Sequence, residues 1–243
     1  MDWQPSCSLK LLRSRAALFQ MIRQFFAEKN VLEVETPLLC SAIATDPNLD
    51  FFTTQYNYLP VPQPLFLQTS PEFAMKRLLA AGSCSIYQIC KAFRNGESGR
   101  FHNPEFTLLE WYRVGYDLSQ LMDEIAELMQ VLFAENGQLK RVRRIAYESL
   151  FMEYTGLNAL AFSYENFRDY ALANDFNDAV PICGHKHTLW LDFIFSHKIQ
   201  PQLEPHTLWL VHGYPACLPS LARTNRHNSL IVDRVEVFLN GVE

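Results

Sequence analysis

The spacing of hydrophobic residues predicts several amphipathic helices along the chain. Apolar side chains recur every three or four positions, the period of an α-helix, in four stretches: residues 9–29, Leu118 to Phe133, residues 165–174 and residues 188–199. A further helix is expected to begin at Ser70-Pro71-Glu72, because a hydroxyl N-cap followed by proline is typical of a helix start. Gly82 marks its end, after Ala81.

Alternating apolar and polar residues predict strands. The candidates are Val31 to Thr36, Leu65 to Gln68, Ile86 to Arg94, Phe106 to Tyr112, Leu208 to Val211 and Ile231 to Leu239. The third and fourth are joined by a polar loop with two glycines and a proline, so we interpret them as one antiparallel hairpin. With neither a repeat nor a linker visible, we predict one α+β domain over residues 1–243, built on a mostly antiparallel sheet flanked by helices.

Strand periodicity divides the predicted hairpin into two faces. One face carries polar groups above small side chains: Gln88, Cys90, Ala92, Arg94, Phe106, Leu108, Glu110 and Tyr112. This pattern is typical of a pocket for a charged small molecule, and a solvated sheet face with an incidental ion pair is the alternative. Glu72, at the start of a predicted helix, is either a capping carboxylate or a ligand for a substrate ammonium group.

The last residues contain a turn signal. Asn240-Gly241 favours a type I′ hairpin turn, yet only Val242 and Glu243 follow it. We therefore expect that a C-terminal portion has been lost, or that another chain supplies the partner strand. Such a turn would place Glu236 diagonally from Glu243, roughly 7–8 Å away. Mg²⁺ with phosphate oxygens would suit two such carboxylates, and two solvated glutamates are the alternative.

Composition narrows the class of protein. The chain has 243 residues, of which 49% are hydrophobic and 19% charged, with a net charge of −5. These values predict a folded globule and disfavour disorder or a generic nucleic-acid coat. The N-terminus lacks a signal-peptide pattern, and no apolar run approaches the ~18 residues of a membrane span. Six cysteines without a C-x-x-C pair predict reduced thiols in the cytoplasm.

Two further clusters are weaker signals. Cys183, His185 and His187 match no common zinc-ligand spacing, so we interpret them as a polar loop. The basic run from Lys140 to Arg144 predicts a solvated surface, with docking of an acidic partner as the alternative. The chain contains neither a P-loop nor a Rossmann fingerprint, so a nucleotide would have to bind by another arrangement.

The stretch from Arg94 to Tyr112, RNGESGRFHNPEFTLLEWY, resembles motif 2 of class II aminoacyl-tRNA synthetases, in particular that of the lysyl branch. Ser70-Pro71-Glu72 with Met75 to Leu78 resembles the amino-acid-binding helix of that branch, and Val31 to Pro37 resembles motif 1, the dimer element. Trp3 to Ser6 and the Ser-Pro-Glu triplet are most similar to a paralogous family that has no anticodon-binding domain. That family ligates β-lysine to elongation factor P. The resemblance runs from Trp3 to the last residue.

The resemblance implies a class II synthetase-like catalytic domain that uses ATP and Mg²⁺. The substrate, (R)-β-lysine or lysine, would be activated as an acyl-adenylate and transferred to a lysine of elongation factor P. By position, Arg94 would be catalytic and would bind the α-phosphate, together with the other ATP-binding residues Asn95, Gly96, Asn103, Phe106 and Glu243. The amino-acid substrate would be held by Ser70, Pro71, Glu72, Glu110 and Tyr112, and Mg²⁺ by Glu236 and Glu243.

Two departures from the family pattern bear on activity. The family's R-N-E reads Arg94-Asn95-Gly96 here, and Glu97 would replace the missing carboxylate only if the loop shifts by one residue. Motif 3, which follows in the family, is absent after Glu243, so the predicted fold is incomplete at its C-terminus. A homodimer is expected, without membrane association. A lysine–tRNA ligase is one alternative, which the acidic net charge and the missing anticodon-binding domain disfavour. An inactive remnant that retains only dimerisation or substrate binding is the other.

Overall fold

The computed structural model describes residues 3–45, 49–58, 60–133, 137 and 139–243. These residues form two compact units, Met1–Tyr116 and Asp117–Glu243. This division into compact units does not test the expectation of one domain over residues 1–243, which stays a prediction. Among the described residues, none of the helices has the length and hydropathy that crossing a membrane requires.

The described residues of the first unit contain two helices and six strands. These are α1 (Leu9–Glu28), β1 (Leu32–Glu33), β2 (Leu39–Cys40), β3 (Thr53–Tyr56), β4 (Gln63–Leu67), α2 (Glu72–Ala80), β5 (Ile86–Phe93) and β6 (Glu105–Tyr112). They form two three-stranded sheets, in the orders β1-β5-β6 and β2-β4-β3. Strand β1 runs parallel to β5, and the other pairings in this unit are antiparallel.

Helix α1 anchors the hairpin formed by β5 and β6. Its N-cap is Ser8, whose hydroxyl accepts a hydrogen bond from the Leu11 N–H at 3.3 Å. Near its other end, the fully buried Phe26 stacks on Tyr87 of β5 with a ring distance of 4.5 Å and contacts Trp111 of β6 at 5.7 Å. Burial of a phenylalanine contributes ~1.5–3 kcal/mol, so this aromatic cluster fixes the apolar face of the hairpin on the helix.

The second unit contains five α-helices and three strands among its described residues. The helices are α3 (Leu118–Phe133), α4 (Tyr147–Thr155), α5 (Tyr164–Ala173), α6 (Ala179–Cys183) and α7 (His187–Ile194). A π-helical turn, Phe195–Ile199, and a 3₁₀ turn, Gln200–Gln202, follow α7. The strands are β7 (Arg141–Ala146), β8 (Thr207–Pro215) and β9 (Ile231–Leu239), in the order β7-β8-β9.

The core of the second unit is aromatic. Trp190 of α7, Trp209 of β8, Phe151 of α4 and Phe238 of β9 are buried together, each at most 1% exposed. At the end of β9 the backbone turns at Asn240-Gly241 with φ of 55° and 76°. Both values lie in the left-handed region that a type I′ turn needs, and reciprocal hydrogen bonds of 2.9 and 3.1 Å join the residues on either side of the turn. The predicted turn is therefore confirmed.

The basic run from Lys140 to Arg144 contributes strand β7, which the sequence pattern did not indicate. Its three arginines form ion pairs with acidic residues of the same unit: Arg141 with Glu204, Arg143 with Glu153 and Arg144 with Asp123. The guanidinium of Arg143 also lies over the Trp209 ring, 4.6 Å from its centre. The partners lie 63, 10 and 21 residues away in sequence. The arginine side chains remain 70%, 37% and 34% exposed, which agrees with the predicted solvated surface.

The α+β class with antiparallel-rich sheets is confirmed, since four of the six strand pairings among the described residues are antiparallel. The two long helices and the central hairpin begin and end within one residue of their predicted bounds. The strand predicted from Val31 to Thr36 is reduced to Leu32–Glu33, although the Val34 N–H still donates to Tyr87 at 2.9 Å. Strands β2, β3 and β7 and the helices α4 and α6 had no clear sequence signal.

Candidate active site

The β5–β6 hairpin gathers the predicted pocket residues on one face. Its register pairs Gln88 with Glu110, Cys90 with Leu108 and Ala92 with Phe106. Directly opposed residues of an antiparallel pair point to the same side of the sheet, which confirms the predicted division into faces. The opposite face carries Tyr87 and Trp111, which pack on α1. The hairpin thus presents its polar residues together on the side away from that aromatic cluster.

Glu110 is a desolvated carboxylate with a fixed donor. The Tyr112 hydroxyl donates a hydrogen bond of 2.6 Å to its Oε1 atom. Burial raises the pKa of Glu110, the Tyr112 hydrogen bond lowers it, the charge of Glu72 raises it, and the charges of Lys76 and Arg94 lower it. Burial and the neighbouring carboxylate also raise the pKa of Tyr112. Glu110 is therefore near one other carboxylate, Glu72, and two cations, Lys76 and Arg94. The two carboxylates are suited to an ammonium guest.

Glu72 is the first residue of α2. The N-cap of the helix is Pro71, and the predicted capping hydroxyl of Ser70 instead accepts a hydrogen bond of 3.4 Å from the Glu72 N–H. This corrects the expectation that Ser70 itself is the N-cap, because the proline occupies the boundary position. The Glu72 carboxylate forms an ion pair with Lys76, one turn further along α2. Ser70 and Pro71 also line a cavity of 420 Å³ with Phe73 of α2, but the lining of this cavity does not include Glu72, Arg94, Glu110 or Tyr112.

Arg94 follows directly after β5 and is held by three contacts. Its Nε donates to the Thr69 carbonyl oxygen at 3.4 Å, its Nη1 lies 3.5 Å from Glu97 Oε1, and its guanidinium lies 5.0 Å from the centre of the Phe106 ring. A cation stacked on an aromatic ring is oriented without losing all its donors. The side chain is 28% exposed, so it remains accessible to an anionic group.

The loop after Arg94 contains the departure from the family motif. Asn95 is tied to another segment of the unit by a 3.0 Å hydrogen bond from its N–H to the Asp50 carbonyl oxygen. Gly96 adopts a φ of 85°, a conformation that residues with a side chain rarely take. After this left-handed turn the Glu97 carboxylate lies 3.5 Å from Arg94 Nη1. Replacement of the family's carboxylate by Glu97 stays a prediction. Asn103 is exposed further along the loop.

Gln88, Cys90 and Ala92 form the floor below these charges. Gln88 is only 2% exposed, and its Oε1 accepts a 2.9 Å hydrogen bond from the Thr36 hydroxyl. Burial and the nearby charge of Glu110 raise the pKa of the Cys90 thiol to about 11, so Cys90 stays neutral at physiological pH. The floor therefore contributes no charge, and recognition of an ionic guest depends on the residues above it.

Glu236 lies in the second unit and is already engaged. Its Oε2 accepts a 2.6 Å hydrogen bond from the Tyr214 hydroxyl, and its Oε1 accepts one from Arg234. Both carboxylate oxygens therefore have protein donors, and each oxygen keeps a second lone pair. Among the described residues there is no group of three or more His, Cys, Asp or Glu side chains that could hold a metal ion. The assignment of Glu236 and Glu243 to Mg²⁺ stays a prediction.

The cysteine–histidine cluster is dispersed by the fold. Cys183 is buried in the core at the end of α6, and His185 lies against Tyr164 with a ring distance of 4.2 Å. His187, the first residue of α7, lies 3.7 Å from the Cys217 sulfur through its Nδ1 atom. Burial lowers the pKa of His187 and raises the pKa of Cys217, which favours a neutral pair over a reactive thiolate. The predicted polar loop is limited to residues 184–186, because Cys183 and His187 belong to helices.

The sequence analysis did not assign a role to Lys76, which is charged and acts on Glu110 together with Glu72 and Arg94. The signal was available, because Glu72 and Lys76 are four residues apart on a predicted helix and such pairs lie on the same face. Its charge acts on Glu110 as well. A complete account of the pocket therefore counts two carboxylates, one internal ammonium group and one guanidinium, all in the first unit.

Comparisons with known proteins show the family of the chain. Residues 1–243 match the family model described as tRNA synthetases class II (D, K and N). The chain is 42% identical over 244 residues to the elongation factor P--(R)-beta-lysine ligase of Vibrio atlanticus, which covers 99% of this chain and 74% of that protein. The protein of the same name from Vibrio cholerae is 42% identical over 245 residues, and the match covers 100% of this chain and 74% of that protein. That from Edwardsiella ictaluri is 39% identical over 245 residues with the same coverage.

Proposed function

We infer the function from the premise that this chain belongs to the class II tRNA synthetase family (D, K and N). We propose that it activates (R)-β-lysine, or lysine, with ATP and transfers the resulting acyl group to a lysine side chain of elongation factor P. The relatives named as elongation factor P--(R)-beta-lysine ligases support the choice of substrate and acceptor.

One observation carries the proposal. A single hairpin and the adjoining helix bring two carboxylates, Glu72 and Glu110, together with the guanidinium of Arg94. A lysine-like amino acid has two ammonium groups, which suit the carboxylates, and ATP has phosphates, which suit the arginine. Few other substrate pairs combine two amines with a polyanion, so the arrangement favours amino-acid activation over binding of either ligand alone.

In the first step, a carboxylate oxygen of the amino acid attacks the α-phosphorus of ATP, forming the acyl-adenylate and releasing pyrophosphate. Arg94 would stabilise the negative charge that develops on the α-phosphate, and its position over Phe106 keeps the guanidinium oriented. Adenine would stack on Phe106 and contact Asn103, with Asn95 and Gly96 shaping the loop. Binding of Mg²⁺ stays a prediction from the family resemblance.

In the second step, the ε-amine of the acceptor lysine attacks the acyl carbon, and AMP leaves. No covalent enzyme intermediate is needed, so the protein's contribution is to position the two reactants. Glu72, Glu110 and Tyr112 would hold the ammonium groups of the substrate, and Ser70 and Pro71 would shape the entrance to the pocket. The desolvation of Glu110 strengthens its attraction for a cation at close range.

We also propose that the chain works as a homodimer in the cytoplasm. Leu9, Leu11 and Leu12, near the start of α1, are 72%, 60% and 46% exposed. Leu9 and Leu12 lie one turn apart and share a face of α1, whereas Leu11 points to another side. An exposed apolar pair suits a surface that another protein covers, and α1 precedes the segment that resembles motif 1. All six cysteines are free, as expected in a reducing compartment.

Charging of tRNA with lysine is the second candidate, because the family description names tRNA synthetases. ATP–pyrophosphate exchange driven by (R)-β-lysine or lysine tests the activation step, and parallel transfer assays with elongation factor P and tRNA identify the acceptor. We expect exchange together with transfer to elongation factor P. Transfer to tRNA alone would favour the second candidate, and the absence of exchange with both amino acids would contradict activation.

A further inference from the structure

Lys76 places a positive charge of the protein itself beside Glu72 and Glu110. We call these three residues the amine-binding cluster. It pairs with Glu72 across one turn of α2, with side chains 49% and 27% exposed. Pairs of this spacing are common on helix surfaces. Here the charges of Glu72 and Lys76 both act on Glu110, on the neighbouring hairpin, one raising and the other lowering its pKa. Lys76 is therefore coupled to both carboxylates that the proposed function assigns to the substrate.

We propose that Lys76 is a specificity-determining residue whose ammonium group offsets one of the two carboxylates, Glu72 and Glu110, so that the cluster selects a guest with a single net positive charge. The inference rests on the proposed function, which places the substrate amino groups at these carboxylates. It goes further by stating which amines the site accepts and which it rejects.

The selection follows from charge counting. The Arg94 guanidinium is paired with the Glu97 carboxylate, so these two charges cancel. The two carboxylates and Lys76 then leave one net negative charge on the amine-binding cluster. Lysine and β-lysine carry two ammonium groups and one carboxylate at neutral pH, hence a single net positive charge. Cadaverine is lysine without its carboxylate and carries two positive charges. With Lys76 present, cadaverine brings one unmatched positive charge into a partly desolvated site, which is unfavourable.

Calorimetric titration of lysine, (R)-β-lysine and cadaverine tests the inference. Lys76→Met keeps most of the apolar stem and removes the charge. Lys91→Met is the matched control, because Lys91 forms a 2.9 Å ion pair with Glu105 and has a similar exposure of 52%. Lys91 lies on the opposite face of the hairpin, since strand residues alternate. We expect Lys76→Met to raise the affinity for cadaverine relative to lysine about tenfold, and Lys91→Met to leave this ratio unchanged.

An unchanged ratio in Lys76→Met, or an equal shift in Lys91→Met, would overturn the inference while lysine binding by the wild type still supports the proposed function. A wild-type chain that binds none of the three compounds would instead overturn the proposed function. A second measurement needs no ligand. In NMR titrations of the side-chain carboxyl carbons, Lys76→Met should raise the pKa of Glu110 and Lys91→Met should not. A Glu110 pKa that is unaffected by Lys76→Met would refute the coupling.

Discussion

The Tyr112 hydroxyl lies 2.6 Å from the carboxylate of Glu110. Glu110 precedes Tyr112 by two residues on β6, so both side chains are on the same face of the strand. Burial raises the pKa of Glu110, and this hydrogen bond acts in the opposite direction. Tyr112 thus helps to keep Glu110 ionised in a partly desolvated place. The ionised carboxylate can bind a cation. Loss of the tyrosine hydroxyl should weaken this binding without changing the hairpin.

Tyr112→Phe should weaken the binding of lysine or (R)-β-lysine by about 10- to 100-fold, because hydrogen bonds to charged groups contribute ~1.5–3 kcal/mol. Calorimetry or the KM in the exchange assay measures this effect. Tyr116→Phe is the control, since the Tyr116 hydroxyl accepts a 2.6 Å hydrogen bond from Arg113 and lies outside the proposed pocket. Equal losses in the two variants would indicate a general structural effect rather than a role for Tyr112 in the pocket.

Amine binding should depend on pH through Glu110. Because burial raises the pKa of Glu110, this carboxylate becomes protonated at a higher pH than an exposed glutamate, whose pKa is about 4.3. The ionised form binds an ammonium group, so affinity should be present at neutral pH and fall as the pH drops through the raised pKa. In Glu110→Gln, binding should be weak and independent of pH over this range.

Glu105→Gln provides the control for the pH experiment, because Glu105 is exposed and pairs with Lys91 on the other face of the hairpin. Its pH profile for amine binding should match that of the wild type. A wild-type affinity that stays constant from neutral pH down to pH ~4, where an ordinary glutamate titrates, would contradict the assignment of Glu110 as the ammonium ligand.

Arg94→Ala should lower the rate of ATP–pyrophosphate exchange by about 10²- to 10³-fold, the usual effect of removing one donor that stabilises developing charge. Arg94→Lys should recover little of this activity, because a lysine lacks the planar, multidentate geometry of guanidinium. Arg100→Ala is the matched control in the same loop, where Arg100 lies over the exposed ring of Phe101. Arg100→Ala should exchange at nearly the wild-type rate; a loss as large as that of Arg94→Ala would contradict the phosphate assignment.

Phe26→Ala should destabilise the first unit by ~3–5 kcal/mol, the usual cost of truncating a buried phenylalanine. Phe26 is fully buried and stacks on Tyr87, so its removal leaves a cavity beneath the hairpin. Chemical denaturation measures the loss. Phe101→Ala, at a position 63% exposed, should change the free energy of unfolding by less than about 0.5 kcal/mol. A similar effect of both substitutions would mean that the aromatic cluster does not support the hairpin.

The hairpin could be predicted from sequence because its alternation is local. The period-two spacing within Ile86–Phe93 and Glu105–Tyr112 predicts which side chains share a face, and the observed pairing of Gln88 with Glu110 agrees with that division. Tyr87 and Trp111 supply the apolar side that orients the ribbon on α1. The sequence pattern predicted the faces, whereas the pairing register is known from the structure.

Strand β7 shows where local reasoning fails. Its arginines are compensated by Glu153, Glu204 and Asp123, residues that only the fold brings near. The approach of Glu97 to Arg94 likewise depends on the positive φ of Gly96, which the sequence permits without requiring. The hydrogen bond from Tyr214 to Glu236 also depends on strand pairing across the sheet, whereas Arg234 lies two residues from Glu236 on the same strand. The ion pairs of β7 and the Tyr214–Glu236 hydrogen bond join residues through tertiary structure rather than through spacing.

The central claim is that one hairpin face binds the amine with Glu110 and the nucleotide with Arg94. Calorimetry of Glu110→Gln and Arg94→Ala, each titrated separately with (R)-β-lysine and with ATP, tests it most directly. We predict that Glu110→Gln loses amine affinity at least tenfold and keeps that for ATP, and that Arg94→Ala does the reverse. Two variants that keep wild-type affinity for both ligands, or that lose both together, would contradict the claim.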